Sequence, residues 1–117
     1  MSIELIKDIK ELEPVSKKYD GDLHFSSFIE VYYRVNKHAK MAYEPEKIKF
    51  LKDRRDALKR DDIAKYEEVV IAMAKREEDL LNRDMMAAMD YLGYLKKDYD
   101  AMYKAFMENP ETQAALI

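Results

Sequence analysis

The feature that most constrains the fold is a stretch of about 30 residues, from Asp61 to Gly93, in which apolar residues recur at helical spacing. Asp61 and Asp62 offer an N-cap at its start, and Gly93 supplies the residue type that often ends a helix. The sequence therefore predicts one long helix over about residues 62–92. Its apolar stripe consists of Ile63, Tyr66, Val69, Val70, Met73, Leu80, Leu81, Met85, Met89 and Leu92.

A helix of this length creates a problem of size. It would be about 45 Å long, whereas a compact chain of 117 residues has a radius of gyration of about 13 Å. Either the helix bends around residues 77–84, where charge interrupts the stripe, or it projects from the globule and packs on a partner. The sequence leaves both alternatives open.

The composition indicates a single all-α domain of five or six helices over residues 1–117. Hydrophobic residues make up 48% of the chain, which contains only two glycines and three prolines. No apolar run reaches the roughly 20 residues of a membrane span, and no secretory signal is present, so we expect a cytoplasmic, reducing compartment. The absence of cysteine excludes disulfides, thiolate nucleophiles and cysteine-based metal sites.

The remaining helices are predicted from caps and prolines. A first amphipathic helix ends near Pro14. A second begins near Ser27, which stands in a capping box, and stops before Pro45, where a third begins. After Gly93, a fifth helix ends at the Asn109-Pro110 pair, which opens a short last helix. The third helix, the long helix and the last two helices form a predicted bundle over residues 44–117.

The segment between the first two helices has a family likeness. Residues 20–28 are Asp-Gly-Asp-Leu-His-Phe-Ser-Ser-Phe. With Gly21 at position 6 of an EF-hand loop, Asp20 falls at position 5, Asp22 at position 7 and Leu23 at the aliphatic position 8. Residues 3–41 therefore resemble a degenerate EF-hand-like helix-loop-helix of the calmodulin-like superfamily.

This sequence departs from the EF-hand pattern in its ligands. Lys18 falls at position 3 and Ser27 at position 12, where calcium needs anionic oxygens. The candidate calcium ligands are reduced to Asp20 and Asp22, and no metal site is predicted from the remaining residues. The resemblance implies a helix-loop-helix over residues 1–43 whose relatives bind target helices.

A basic segment follows. From Arg34 to Arg60 there are ten basic and four acidic residues, whereas the chain on either side is acidic. Such a helix surface can meet nucleic acid or an anionic membrane, or it can be solvated and paired with the acidic part of the chain. The candidate anion-binding residues are Lys47, Lys49, Lys52, Arg54, Lys59 and Arg60.

Methionine and tyrosine are concentrated in the last third of the chain. Methionine is flexible and polarisable, so surfaces rich in it adapt to apolar partners, although the same side chains also suit a core. The candidate partner-binding residues are Met85, Met86, Met89, Tyr99, Met102, Tyr103 and Phe106.

No catalytic constellation, phosphate loop or dinucleotide motif is present, so we predict neither an enzyme nor a cofactor. The preferred hypothesis is a non-catalytic protein–protein interaction module, an adaptor or assembly subunit. Its partner would be an apolar helix or another copy of the chain, packed as an oligomer or coiled coil. The alternatives are a calcium-responsive regulator and a basic-helix binder of nucleic acid or anionic lipid.

Overall fold

The computed structural model describes residues 3–12 and 25–116, and these residues form helices without any strand. The predicted all-α class is confirmed. The helices are α1 (Ile3–Lys10), α2 (Phe25–Lys59), α3 (Ile63–Leu92), α4 (Lys96–Glu108) and α5 (Pro110–Leu116).

The predicted long helix is confirmed as α3, with the predicted caps. The Asp62 carboxylate accepts a hydrogen bond from the Lys65 amide at 3.0 Å, which satisfies one of the free N–H groups of the first turn. Gly93 ends the helix with φ at 87°, a left-handed conformation in which a Cβ atom is unfavourable. The Tyr94 amide then donates to the Met89 carbonyl at 2.8 Å and closes the last turn.

The packing partner of the long helix α3 comes from the same chain. The α3 helix packs along α2 in an antiparallel hairpin, so the partner of each long helix is the other one. The radius of gyration is 17.2 Å, compared with about 13 Å for a compact chain of this size. The principal extents of 57, 33 and 21 Å show that the chain is elongated. Of the two alternatives left open by the sequence, bending or projection, the structure shows projection, with two helices of the same chain projecting together.

The α2 helix begins close to Ser27, as predicted, but the predicted break before Pro45 is wrong because the helix is continuous. It begins at Phe25, so that Ser27 lies buried in its first turn, and it runs through Pro45. Pro45 has no N–H to donate to the Met41 carbonyl. Both residues lie on the solvent-exposed side of α2, where water can satisfy that carbonyl. Packing against α3 thus outweighs the local preference for a break.

The hydrophobic core lies at one end of the hairpin. There α1, α4 and α5 cover the beginning of α2 and the end of α3. The last core residue of α2 is Val35, and the first residue of α3 that packs against the core is Leu81. The buried members are Leu5, Ile9, Phe28, Val31, Val35, Met85, Ala88, Met89, Leu92, Tyr94, Met102 and Leu116.

Aromatic rings connect α2 to α4. The Phe28 ring centroid lies 4.9 Å from that of Phe106 and 5.9 Å from that of Tyr99, and Phe25 meets Phe106 edge-on at 5.0 Å. These are favourable separations for aromatic pairs. Burial raises the pKa of Tyr99, so its hydroxyl stays protonated in the cluster.

Polar contacts hold α1 on α2. The Asp8 carboxylate accepts a hydrogen bond from Arg34 and lies 3.1 Å from Nε2 of His38. Partial burial opposes the charge on Asp8, but the hydrogen bonds and charges of these two partners outweigh it and lower the pKa of Asp8. This interaction complements the burial of Leu5 and Ile9 in fixing α1.

Candidate functional site

Half of the hairpin extends beyond the core, and we call residues 44–79 the arm. None of its side chains belongs to the core or packs against it. The α2 part of the arm, residues 44–59, is about 24 Å long at 1.5 Å per residue. The described residues of α1, α4 and α5 thus leave the arm as two helices in contact mainly with each other.

The two helices of the arm meet along a narrow seam. Ala57 of α2 and Val69 of α3 are buried in it, and Tyr43 and Leu80 are buried at its base. Tyr43 and Ala57 are fourteen residues apart, and Val69 and Leu80 are eleven apart, which places each pair on one side of its helix. Since Ala57 and Val69 are small, the arm buries much less apolar surface than the core.

Polar contacts strengthen the seam near its base. The Tyr43 hydroxyl donates to the Met73 carbonyl at 3.4 Å, and Arg76 donates to both carboxylate oxygens of Glu46 at 2.7 and 3.2 Å. The hydrogen bond from Arg76 lowers the pKa of Glu46. Planar two-point pairing of this kind fixes the relative position of the two helices.

The arm exposes an unusual amount of apolar surface. Five of the nine large apolar side chains that are exposed in the described ranges lie on it. Lone apolar residues on a surface need no explanation, but a group on one projection is typical of an interaction site. The five, with their exposed fractions, are Ile48 (69%), Leu58 (53%), Ile63 (64%), Val70 (38%) and Ile71 (68%).

The predicted anion-binding residues all lie on the α2 side of the arm or in the turn that follows it. Arg54 is half-buried, and Lys47, Lys49, Lys52, Lys59 and Arg60 are exposed. None of the six forms an ion pair within the described part of the chain. The charges of the five exposed residues are therefore open to solvent.

The predicted partner-binding residues lie in the core end instead. Met85, Met89 and Met102 are 1–2% exposed, because the chain itself covers them. Met86, Tyr99, Tyr103 and Phe106 are half-buried and pack against the core. A partner contact at these four stays a prediction.

One carboxylate is buried without full pairing. Asp84 of α3 is 1% exposed, and its Oδ1 accepts from Nε of Arg83 at 3.1 Å. Its Oδ2 has no hydrogen-bond partner among the residues that the structure describes. In the part of the chain that the structure describes, no three His, Asp or Glu side chains gather closely enough to hold a metal ion. Asp20 and Asp22 lie outside the described residues, so calcium binding there stays a prediction.

Comparison with known proteins gives this chain no relatives. It matches no protein-family model, no curated protein sequence and no solved structure. Among the described helices, none combines the length and apolarity needed to cross a membrane.

Proposed function

We propose that this protein is a non-catalytic protein–protein interaction module that uses the arm to hold a helical partner or a second copy of the chain. The single observation that carries this proposal is the exposure of Leu58, Ile63 and Val70 on an arm that contributes nothing to the core. Soluble chains bury such side chains where they can, because each gains about 1.5–3 kcal/mol on leaving water. A partner helix laid along the arm would cover them.

The shape of the arm supports helical partners in particular. Two antiparallel helices present a shallow groove between them, into which the side chains of a third helix can pack. Both walls carry apolar and charged residues together, as in interfaces that exclude water at the centre and are polar at the rim.

The test is capture on the immobilised protein from a lysate of the cells that make it, in chelator and at high salt. We expect a stoichiometric protein, either foreign or this chain itself, to be retained by the natural sequence and lost with the double variant Leu58→Asp, Ile63→Asp. Asp8→Asn, which alters the core end only, serves as the matched control and should retain it.

Hydrogen exchange on the captured complex then locates the contact. We expect protection in the arm, residues 44–79. The proposal fails if no protein is retained, or if the arm variant and the control capture the same protein equally well. Protection confined to the helices around Met86 and Tyr103 would move the contact to the surface predicted from methionine content.

A second candidate is binding of an anionic polymer or membrane by the basic residues of the arm. It is favoured by the six basic residues on α2 and the turn, including Lys49 and Lys52, which form no ion pair within the described ranges. Such binding would weaken steeply with salt. Anisotropy of a labelled single-stranded nucleic acid and flotation with acidic vesicles, each at two salt concentrations, test it, and salt-independent or absent binding would contradict it.

A further inference from the structure

One broad face of the arm carries apolar residues between charged ones, and the opposite face is largely charged. In an antiparallel pair of right-handed helices, residues one position after the seam positions lie on one face, and residues one position before them lie on the other. The positions after Phe50, Ala57, Val69 and Met73 are Leu51, Leu58, Val70 and Ala74, whereas the positions before them are Lys49, Asp56, Glu68 and Ala72. We call the set Leu51, Leu58, Ile63, Val70 and Ala74 the apolar face.

The apolar face carries charges of opposite sign on its two helices. By the same register, Lys47 and Arg54 of α2 follow seam positions 46 and 53, and Glu67 and Glu77 of α3 follow positions 66 and 76. None of these four side chains forms an ion pair within the described part of the chain. The two halves of the arm differ in the same sense: residues 44–60 hold seven basic and four acidic residues, and residues 61–79 hold three basic and seven acidic.

The two halves of the arm are complementary in net charge. A two-fold axis parallel to the arm places α2 of one copy on α3 of the other, antiparallel, with both tips at the same end. The Glu46–Arg76 pair sets the register of the hairpin. In that register Arg54 lies opposite Glu67 of the second copy, whereas Glu44 lies opposite Glu77. Leu51 then lies opposite Val70, and Leu58 opposite Ile63. The alternative two-fold axis would stack α2 on α2 and bring like charges together.

We infer that the apolar face is a self-association surface, on which a second copy of this chain docks to form a four-helix bundle of two arms. This inference rests on the proposed function and names its partner. Two helices about 24 Å long and together about 20 Å wide would bury roughly 500 Å² of surface on each copy. This area is at the low end for specific protein–protein interfaces. We therefore expect a dimer that dissociates in the micromolar range.

The test uses the purified full-length protein alone, studied by sedimentation velocity and light scattering over micromolar concentrations. We expect the mass to rise with concentration from 13.9 kDa to twice that value. Leu58→Asp should weaken the dimer at least about 30-fold, because it places a charge against Ile63 of the second copy, in the apolar part of the interface. The matched control is Ile48→Asp: Ile48 is more exposed than Leu58 but lies on the outer edge of α2, so the dimer should be unaffected.

Charge reversal tests the pairing of the helices. Arg54→Glu and Glu67→Arg should each weaken the dimer about tenfold, and the double variant should restore it, because the pair re-forms across the two-fold axis. Circular dichroism checks that every variant keeps its helix content.

A chain that stays monomeric at the highest concentration overturns the inference, as does a dimer that Leu58→Asp and Ile48→Asp affect equally. A double variant without rescue overturns the pairing of α2 with α3. If the purified chain is monomeric but the arm still captures a foreign protein, the proposed function stands and only this inference is overturned.

Discussion

Asp8 is the residue through which pH acts on the attachment of α1. Its pKa is lowered in the folded chain, so it contributes stability above its unfolded pKa of about 3.9, and this contribution is lost as pH falls through the folded value. Asp8→Asn should lower the free energy of unfolding by about 1 kcal/mol near neutral pH. The difference between the two proteins should vanish at a pH below the folded pKa.

Urea unfolding of both proteins at a series of pH values measures this difference. Asp100→Asn is the control, because Asp100 pairs with Lys96 on an exposed helix face, where such pairs contribute little. A difference that persists unchanged in acid would show that Asp8 acts through packing and not through its charge.

Asp84 presents the opposite case, a carboxylate whose burial costs stability. Only one of its oxygens is paired, and the other is buried without a partner. Because an unpaired anionic oxygen costs more than an unpaired neutral amide, Asp84→Asn should raise the free energy of unfolding by about 1 kcal/mol at neutral pH.

Chemical denaturation measures the effect of Asp84→Asn, and Asn82→Asp, on an exposed position of the same helix, provides a comparison that should be close to neutral. A destabilised Asp84→Asn protein would mean that the carboxylate takes part in an interaction that the folded chain needs. Arg83 is half exposed, so the loss of its ion pair with residue 84 costs little stability.

At the scale of the helices, local signals were predicted well from the sequence. Asp62, Gly93 and Asn109 each act within one turn of their own position, and each ends or begins a helix as predicted. The break predicted at Pro45 is absent because its outcome depends on distant residues. The contact of α2 with α3 favours helix on both sides of Pro45.

Pro45 leaves α2 with a testable weakness. Proline is about 3 kcal/mol less favourable than alanine inside a helix, although it also restricts the unfolded chain. Pro45→Ala should therefore raise the free energy of unfolding by about 1–2 kcal/mol. Denaturant unfolding measures this, with Glu44→Ala next to it as the control. An unchanged or lower stability would contradict a helix that is continuous through this position.

At the scale of the whole molecule, the candidate site was the least predictable part. The apolar residues of the arm were recognised as helical stripes, but the sequence could not show which stripes meet each other. Ile63 belonged to the same predicted apolar stripe as Met85 and Met89, but only Met85 and Met89 are buried by the covering helices. The seven-residue spacing of Tyr43, Phe50 and Ala57 was the signal that could have identified the seam.

The uneven distribution of the core predicts uneven stability. The seam of the arm buries small residues such as Ala57 and Val69, whereas the core end buries Phe28 and Met89. We expect amides of residues 50–57 and 66–73 to exchange with solvent at least about 30-fold faster than those of residues 28–35 and 85–92, through opening of the arm alone. Native-state hydrogen exchange measures this, and equal protection throughout would show that the chain unfolds as one unit.

The separation of the arm from the core also makes its length adjustable. Since no core residue comes from the arm, matched insertions of seven residues in α2 and α3 would preserve the seam and move the tip outward by about 10 Å. An insertion in one helix alone would shift every seam contact. The hairpin is thus a spacer whose reach can change during evolution in paired steps, while the end that folds it stays the same.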